Sequence, residues 1–392
     1  MKAMKKISAI LAGLLLGASA FAVDFGGSFD NLTKISTNTY EKWTLSQQDG
    51  LTAWLKVPFN DAGNLYLATE GSIFYRFSVP NLSNFSSNRS DFLFDIGLFK
   101  LGGVFNIGKG IVQLNLGRFY LNDVTGIVLS QTADGVQGAY TNDLFKASVY
   151  FAYTGFTNSQ FGTINDNSKT STYVPNYKKP YSFNSPYIVT GATFSAPYLF
   201  ANQTVGAEIY GMFGTKGLRG SNSGYNRTFL TLFMNGPIVK NLFYTLSTTL
   251  GFNDGVSNLT MGTLTYYPDF MSSSISLDAS YATGESGSIK AFRAFSSNQA
   301  TYATNAPEYT GLLKIGLRGS IKPMESLYTS LGSDIVFDSG SDFGYRGIQW
   351  DANVKYQAFT DLQFALGFKQ FFDSKKESNN NTSITFSASL AF

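Results

Sequence analysis

The sequence ends on Thr382-Ser-Ile-Thr-Phe-Ser-Ala-Ser-Leu-Ala-Phe392. Ile384, Phe386, Ala388, Leu390 and Phe392 fall on one face of an extended chain, and Thr385, Ser387, Ser389 and Ala391 on the other. Side chains of a strand alternate with a period of two, so this pattern describes a strand between an apolar environment and a small, polar one. The preceding run repeats it, setting Leu362, Phe364, Leu366 and Phe368 against Gln363, Ala365, Gly367 and Lys369.

Working outward, similar runs recur at 25–35, 47–59, 64–79, 91–105, 111–121, 134–141, 143–154, 186–196, 203–213, 225–235, 241–252, 257–267, 272–283, 308–320, 326–338, 345–357, 361–372 and 382–392. Alternate connections are short: 60–63, 106–110, Asn142, 197–202, 236–240, 268–271, 321–325 and 358–360. The other set holds the long segments 155–185 and 284–307, although 253–256 and 339–344 are brief. Short turns at one end and longer loops at the other predict a transmembrane antiparallel up-and-down β-barrel, an all-β fold with both termini on the periplasmic side. The expected strand number is eighteen. Sixteen is the alternative, because 25–35 alternates least clearly.

Composition supports a membrane over a soluble β-sandwich or propeller, which would also alternate. Only 14% of residues are charged while 16% are aromatic, with 36 Phe and 23 Tyr, a density that suits the aromatic girdles of a barrel. A polar face with scattered ions is costly in a dry core but not in a water-filled lumen. Lys2, Lys5 and Lys6, the apolar run Ile7–Gly17 and Ala20-Phe21-Ala22 read as a signal peptide over 1–22, leaving a barrel over 23–392. Removing those three lysines cancels the formal net charge of +3, so the basic footprint of a nucleic-acid binder is missing. With neither His nor Cys, disulfides, thiolate sites and imidazole catalysis are excluded; no cofactor, metal or enzymatic activity is expected.

The alternating C-terminal segment resembles the signal by which bacterial outer-membrane proteins are recognised by the barrel-assembly machinery, and it points to Phe386, Leu390 and Phe392. The whole pattern is similar to the general and substrate-specific porins, whose larger members have sixteen or eighteen strands. That resemblance implies outer-membrane lipid as surroundings and small hydrophilic solutes and ions as cargo, with no subfamily or oligomeric state indicated. Outer-membrane phospholipases and omptin-like proteases employ a catalytic His, which this chain lacks. With few residues before the second run, neither the hatch of a fatty-acid transporter, nor the plug of an iron-chelate receptor, nor an autotransporter passenger is expected. A surface adhesin or structural barrel stays open, since it would use the same strands.

Assigning the apolar register to lipid turns Lys56, Glu70, Arg76, Asp95, Lys146, Glu208, Asp278, Lys314, Arg318, Asp334, Asp338, Asp351, Lys355 and Lys369 inward as pore-lining candidates. Seven are basic and seven acidic, which predicts a lumen of mixed sign. Lys314 and Arg318 are expected to face Asp334 and Asp338 on the next strand. Two residues break the register. Arg118 shares that of Leu114 and Leu116 unless Gly117 hosts a β-bulge, and Lys100 is expected on the lipid face, snorkelling to a periplasmic turn. The segment 122–133, the third long-side connection, resembles a porin constriction loop by order and size, with Asp123, Thr125, Ser130 and Gln131 as candidates; a rim loop or a continued strand is the alternative. Segment 155–185, with Tyr173, Tyr177, Lys178, Lys179 and Tyr181, is an equal candidate for folding inward or forming a surface patch.

Overall fold

A computed structural model describes residues 23–37, 42–84, 88–162, 164–165, 179–215, 226–253, 255–296, 310–340, 343–375 and 380–392. The expected signal peptide, and Tyr173, Tyr177 and Lys178, lie outside these residues. The strands are β1 (Asp24–Thr37), β2 (Trp43–Pro58), β3 (Leu65–Val79), β4 (Arg89–Ile107), β5 (Gly110–Asn122), β6 (Ser130–Thr141), β7 (Lys146–Tyr153), β8 (Tyr187–Phe200), β9 (Gln203–Gly214), β10 (Arg227–Val239), β11 (Leu242–Phe252), β12 (Val256–Tyr266), β13 (Ser274–Ala282), β14 (Leu312–Met324), β15 (Leu327–Asp338), β16 (Gly344–Phe359), β17 (Leu362–Asp373) and β18 (Asn381–Ala391). They form one 18-stranded sheet. Each strand pairs antiparallel with its neighbours in sequence, and β1 also pairs with β18. The sheet therefore closes into a barrel, the arrangement by which strands satisfy their backbone inside lipid. Because β1 pairs on both sides, with β2 over Asp24–Thr37 and with β18 over Ser28–Ser36, the strand number is eighteen and not sixteen.

Register carries one face from strand to strand. Leu362, Leu390, Phe29, Leu51, Ile73 and Phe94 make one continuous row, and Ile315, Ile335, Ile348 and Phe372 another. Phe29, Leu51, Ile73, Phe94, Ile315, Ile335 and Phe372 are all exposed. A soluble protein buries such residues; a band of them around a closed sheet is the surface that lipid covers. Phe59, Tyr267, Phe270 and Phe359, exposed in or beside the short turns, supply aromatic side chains at that rim.

One residue inverts the faces of β4. Glu70 pairs with Leu98 but Gly71 pairs with Ile96, leaving Gly97 as an extra residue, and a side chain there would strike the Glu70 carboxylate. A single-residue bulge swaps inside and outside for the remainder of a strand. Phe92 and Phe94 thus point outward on one side of Gly97, and Phe99 and Leu101 on the other. Lys100 consequently lies on the inner face, which corrects the expectation that it faces lipid.

Arg118 is accommodated differently from expectation. The pairing of β5 with β4 and β6 runs through Gly117 without a shift, so no bulge turns Arg118 inward. Gly117 does have φ +119°, and a Cβ there would collide with the Phe99 carbonyl. Phe99–Arg118 is the last β4–β5 pair; beyond it the strands diverge and a long loop fills the fork. Phe94 N donates to Pro180 O (3.0 Å) and Ser159 N to Ser182 O (2.8 Å), while Asn158 Nδ2 donates to Phe94 O (2.8 Å).

Candidate functional site

Among the described residues, a buried apolar cluster fills one side of the lumen. Phe119, Ala133, Tyr150, Ala152, Tyr187, Tyr210, Met212 and Phe229, from the inner faces of β5 to β10, are buried together with Val128, Leu129, Phe292 and Phe295 from loops. The long-side connections after β5 and β13 therefore lie inside the barrel, packed on its wall. Phe295 N and Ser296 N both donate to Val128 O (2.8 and 3.1 Å), joining the two loops. Arg227 NH1 donates to Ala294 O (3.1 Å) and NH2 to Asn165 O, fastening the loop after β13 and the loop after β7 to β10.

The loop 123–129 is organised by its own acid. Asp123 Oδ1 accepts from Val128 N (3.0 Å) and Leu129 N (2.8 Å), and Oδ2 from Thr125 N (2.9 Å) and Thr125 Oγ1. Burial pushes the Asp123 carboxyl above the usual carboxylate range, while these hydrogen bonds pull it down. Val124 N donates to Glu208 Oε2 (2.9 Å) and Thr193 Oγ1 to Oε1 (3.0 Å). Two sequence-derived roles change as a result. Asp123 and Glu208 are buried, supporting the loop instead of lining water. Ser130 and Gln131 belong to β6 and are also buried. The loop is shorter than 122–133, because its second half pairs with β5 as strand.

Within the other expected loop, 155–185, the described residues divide between surface and interior. Phe156 and Phe183 are exposed, whereas Ile164 belongs to the buried cluster. Phe161 packs against Phe74 with the rings tilted (4.8 Å between centroids) and lies under the Arg76 guanidinium (5.2 Å), with Arg76 Nε donating to Gln48 Oε1 (2.8 Å).

On β13 to β16 the inner wall holds a network of charges. Lys314 Nζ lies 2.7 Å from Asp278 and 4.0 Å from Asp334. Arg318 lies 2.7 Å from Asp351, 3.7 Å from Asp278 and 4.0 Å from Asp334. Glycines make this packing possible: a Cβ on Gly332 would sit 2.7 Å from Asp351 Oδ1 and 2.9 Å from Arg318 Nε, and one on Gly316 would strike Asp334 and Asp278. Asp338, expected beside Arg318, instead contacts Arg346 (3.6 Å) and Lys375 (2.5 Å). Arg346 also meets Asp373 (3.1 Å). Sequence alternation hid Arg346, since it shares the parity of outward Ile348 and Trp350; a register shift between Val336 and Phe337 frees it from that parity.

Lys56, Glu70, Lys146, Lys355 and Lys369 lie on the inner register, and Asp95 does so in a buried position behind Ser72. Lys34 and Asp30 on β1 share that register, which the poor alternation of 25–35 conceals. Lys34, Lys56, Lys355 and Lys369 are exposed and form no ion pair among the described residues. They are spread along β16, β17, β1 and β2, away from the described loop residues of the buried cluster. Among the described residues no group of acidic side chains is arranged to hold a metal ion.

The sequence matches no protein-family model and no curated protein. Similarity appears among solved structures. OpdQ of Pseudomonas aeruginosa superposes with a TM-score of 0.63 at 10% identity over 94% of this chain and 98% of that one. OccK7 (OpdD) of the same organism gives 0.63 at 12% over 94% and 98%, and its outer membrane protein OpdK 0.55 at 11% over 94% and 99%. At these identities the likeness is one of fold. The chain has the architecture of an eighteen-stranded, porin-like outer-membrane barrel.

Proposed function

We propose that this chain is an outer-membrane channel for diffusion of ions and small hydrophilic solutes, with a preference for anions. The observation that carries the preference is the set of exposed lysines on the inner register of β16, β17, β1 and β2, Lys34, Lys56, Lys355 and Lys369, which form no ion pair among the described residues. Most inner carboxylates are committed elsewhere: Asp278, Asp334 and Asp351 to Lys314 and Arg318, Asp338 to Arg346 and Lys375, and Glu208 to the loop. Asp24, Asp30 and Glu70 offset the lysines only in part. A low-dielectric wall focuses such fields on the solute path. This reading sharpens the mixed-sign lumen counted from sequence, where every charge weighed equally.

Under the same proposal the chain is exported with cleavage after Ala22. Phe386, Leu390 and Phe392 are then offered to the assembly machinery. Phe392, whose backbone exchanges hydrogen bonds with Gly27 (2.8 and 3.0 Å), ends the strand that closes the barrel.

Reversal potential in a salt gradient across a planar bilayer tests the reading. An anion-selective current is expected, and joint replacement of Lys34, Lys355 and Lys369 by Glu inverts its sign. Cation selectivity of the unaltered chain overturns the preference. A folded, inserted barrel that passes no current overturns the channel and leaves the adhesin or structural barrel.

A further inference from the structure

The outer, lipid-facing register carries a polar patch in the middle of β1 and β2. Asn31 pairs across the strands with Asp49 and Thr33 with Gln47. Phe29 and Leu51 flank the patch toward the short turns, and Ile35, Leu45 and exposed Trp43 toward the long loops. Asn31 Nδ2 donates to Asp49 Oδ1 (2.6 Å), Gln47 Nε2 to Asp49 Oδ2 (3.0 Å) and Thr33 Oγ1 to Asn31 Oδ1 (3.4 Å). All four residues stay partly accessible. Among the described residues no ion pair reaches Asp49.

Acyl chains can neither donate to this carboxylate nor balance it, and an ionisable residue facing lipid is costly. The other charges on the outer register, Arg118 and Asp134, pair with each other at 2.9 Å beneath a loop. A second hydrogen-bonded group, Thr248, Asn258 and Thr260, is uncharged and lies toward the long-loop ends of β11 and β12, where water and headgroups supply partners. Lipid phosphates stay at headgroup level and would repel a carboxylate. A protein wall is the occupant that fits.

The chemistry selects which wall. Each amide of Asn31 and Gln47 has a second N–H unused within the patch, and Asp49 keeps spare lone pairs. Donors and acceptors stand side by side, so the patch complements a two-fold copy of itself. Ala388, paired with Asn31, and Ala53 are small enough for another wall to approach closely.

We propose that the β1–β2 wall is the interface between two copies of this chain, with the unused amides of each meeting Asp49 of the other. The proposal rests on the chain spanning a membrane but not on its conducting, so the two readings fail separately.

The natural sequence contains no Cys, which allows single cysteines to report proximity in intact outer membranes. Ala388→Cys is expected to form a disulfide-linked dimer, and Leu277→Cys, on the remote β13 wall, is not. Adding Asp49→Leu should weaken dimerisation about tenfold, as loss of hydrogen bonds inside a membrane implies. Asp49→Asn, which keeps hydrogen-bonding groups, should retain the dimer. Heat-modifiable gel mobility verifies folding; if Asp49→Leu does not fold, the Ala388→Cys and Leu277→Cys comparison decides alone. Cross-linking at Ala388→Cys no greater than at Leu277→Cys, an undiminished dimer in folded Asp49→Leu, or capture of a different protein overturns the proposal.

Discussion

The guanidinium of Arg118 joins three parts of the chain that the strand ladder leaves apart. It donates to both Asp134 oxygens on β6 (2.9 Å each), to Ile96 O on β4 (3.2 Å), and to Phe156 O (2.9 Å) and Tyr181 Oη (3.1 Å) in the loop that fills the fork. An isolated Arg on the outer register would cost about 2–4 kcal/mol at mid-membrane. Bidentate pairing and loop cover offset that cost, so this departure from alternation is a structural joint. Removing one partner of a buried pair strands the other, typically at about 3–5 kcal/mol, and the lower end suits Asp134, which is partly accessible. Arg118→Ala is therefore expected to lower the temperature of the heat-induced gel shift and to expose segment 155–185 to protease in the folded barrel. Arg118→Lys should recover little, because an ammonium cannot span the same acceptors. Unchanged cleavage and heat stability in Arg118→Ala would show that the loop is held without it.

At the scale of elements, the loop 123–129 is a unit held by one carboxylate, and its position inside the lumen follows from that capping and from Glu208 beneath Val124. Asp123→Ala removes acceptors for three backbone N–H groups, worth about 1 kcal/mol each when left unpaired. The loop should then spend part of its time off the wall. Single-channel recordings are expected to show larger mean conductance and added flicker, with barrel folding preserved because the strand ladder is untouched; a silent substitution would mean that the contacts of Phe295 and Ser296 with Val128 suffice. The strands themselves were legible because an eighteen-fold alternation needs only local reading, and all of the runs correspond to strands. Loop interiors were not. Asp123 in a turn-like Asn-Asp-Val-Thr-Gly looks like solvated loop, and nothing local announces that Glu208, distant in sequence, receives its neighbour. Bulges were hidden for a related reason. Gly97 and Arg346 shift parity by one, and one misplaced parity exchanges inside for outside, as Lys100 shows.

For the molecule as a whole, inversion of the usual inside and outside makes neighbouring positions answer to different solvents. Ile315 and Arg318 lie on the same strand, three residues apart and on opposite faces: Ile315 pairs with exposed Ile335 and Ala279, while Arg318 meets Asp278 and Asp351 over glycine. A cation at Ile315 would enter hydrocarbon at about 2–4 kcal/mol, a sizeable share of the 5–15 kcal/mol by which folded proteins are usually stable. A neutral side chain at Arg318 stays in water, and its cost appears in the field instead, because Asp278, Asp334 and Asp351 all lose the guanidinium that lies within 4.0 Å of each. Ile315→Arg is thus expected to insert poorly while any inserted molecules conduct with native selectivity. Arg318→Gln should insert at native yield and lose part of its anion preference. Measuring insertion yield and reversal potential for both variants separates the two faces. Native insertion of Ile315→Arg would show that this wall does not meet lipid, and native selectivity of folded Arg318→Gln would show that solutes pass away from β14, along the lysines of β16, β17, β1 and β2.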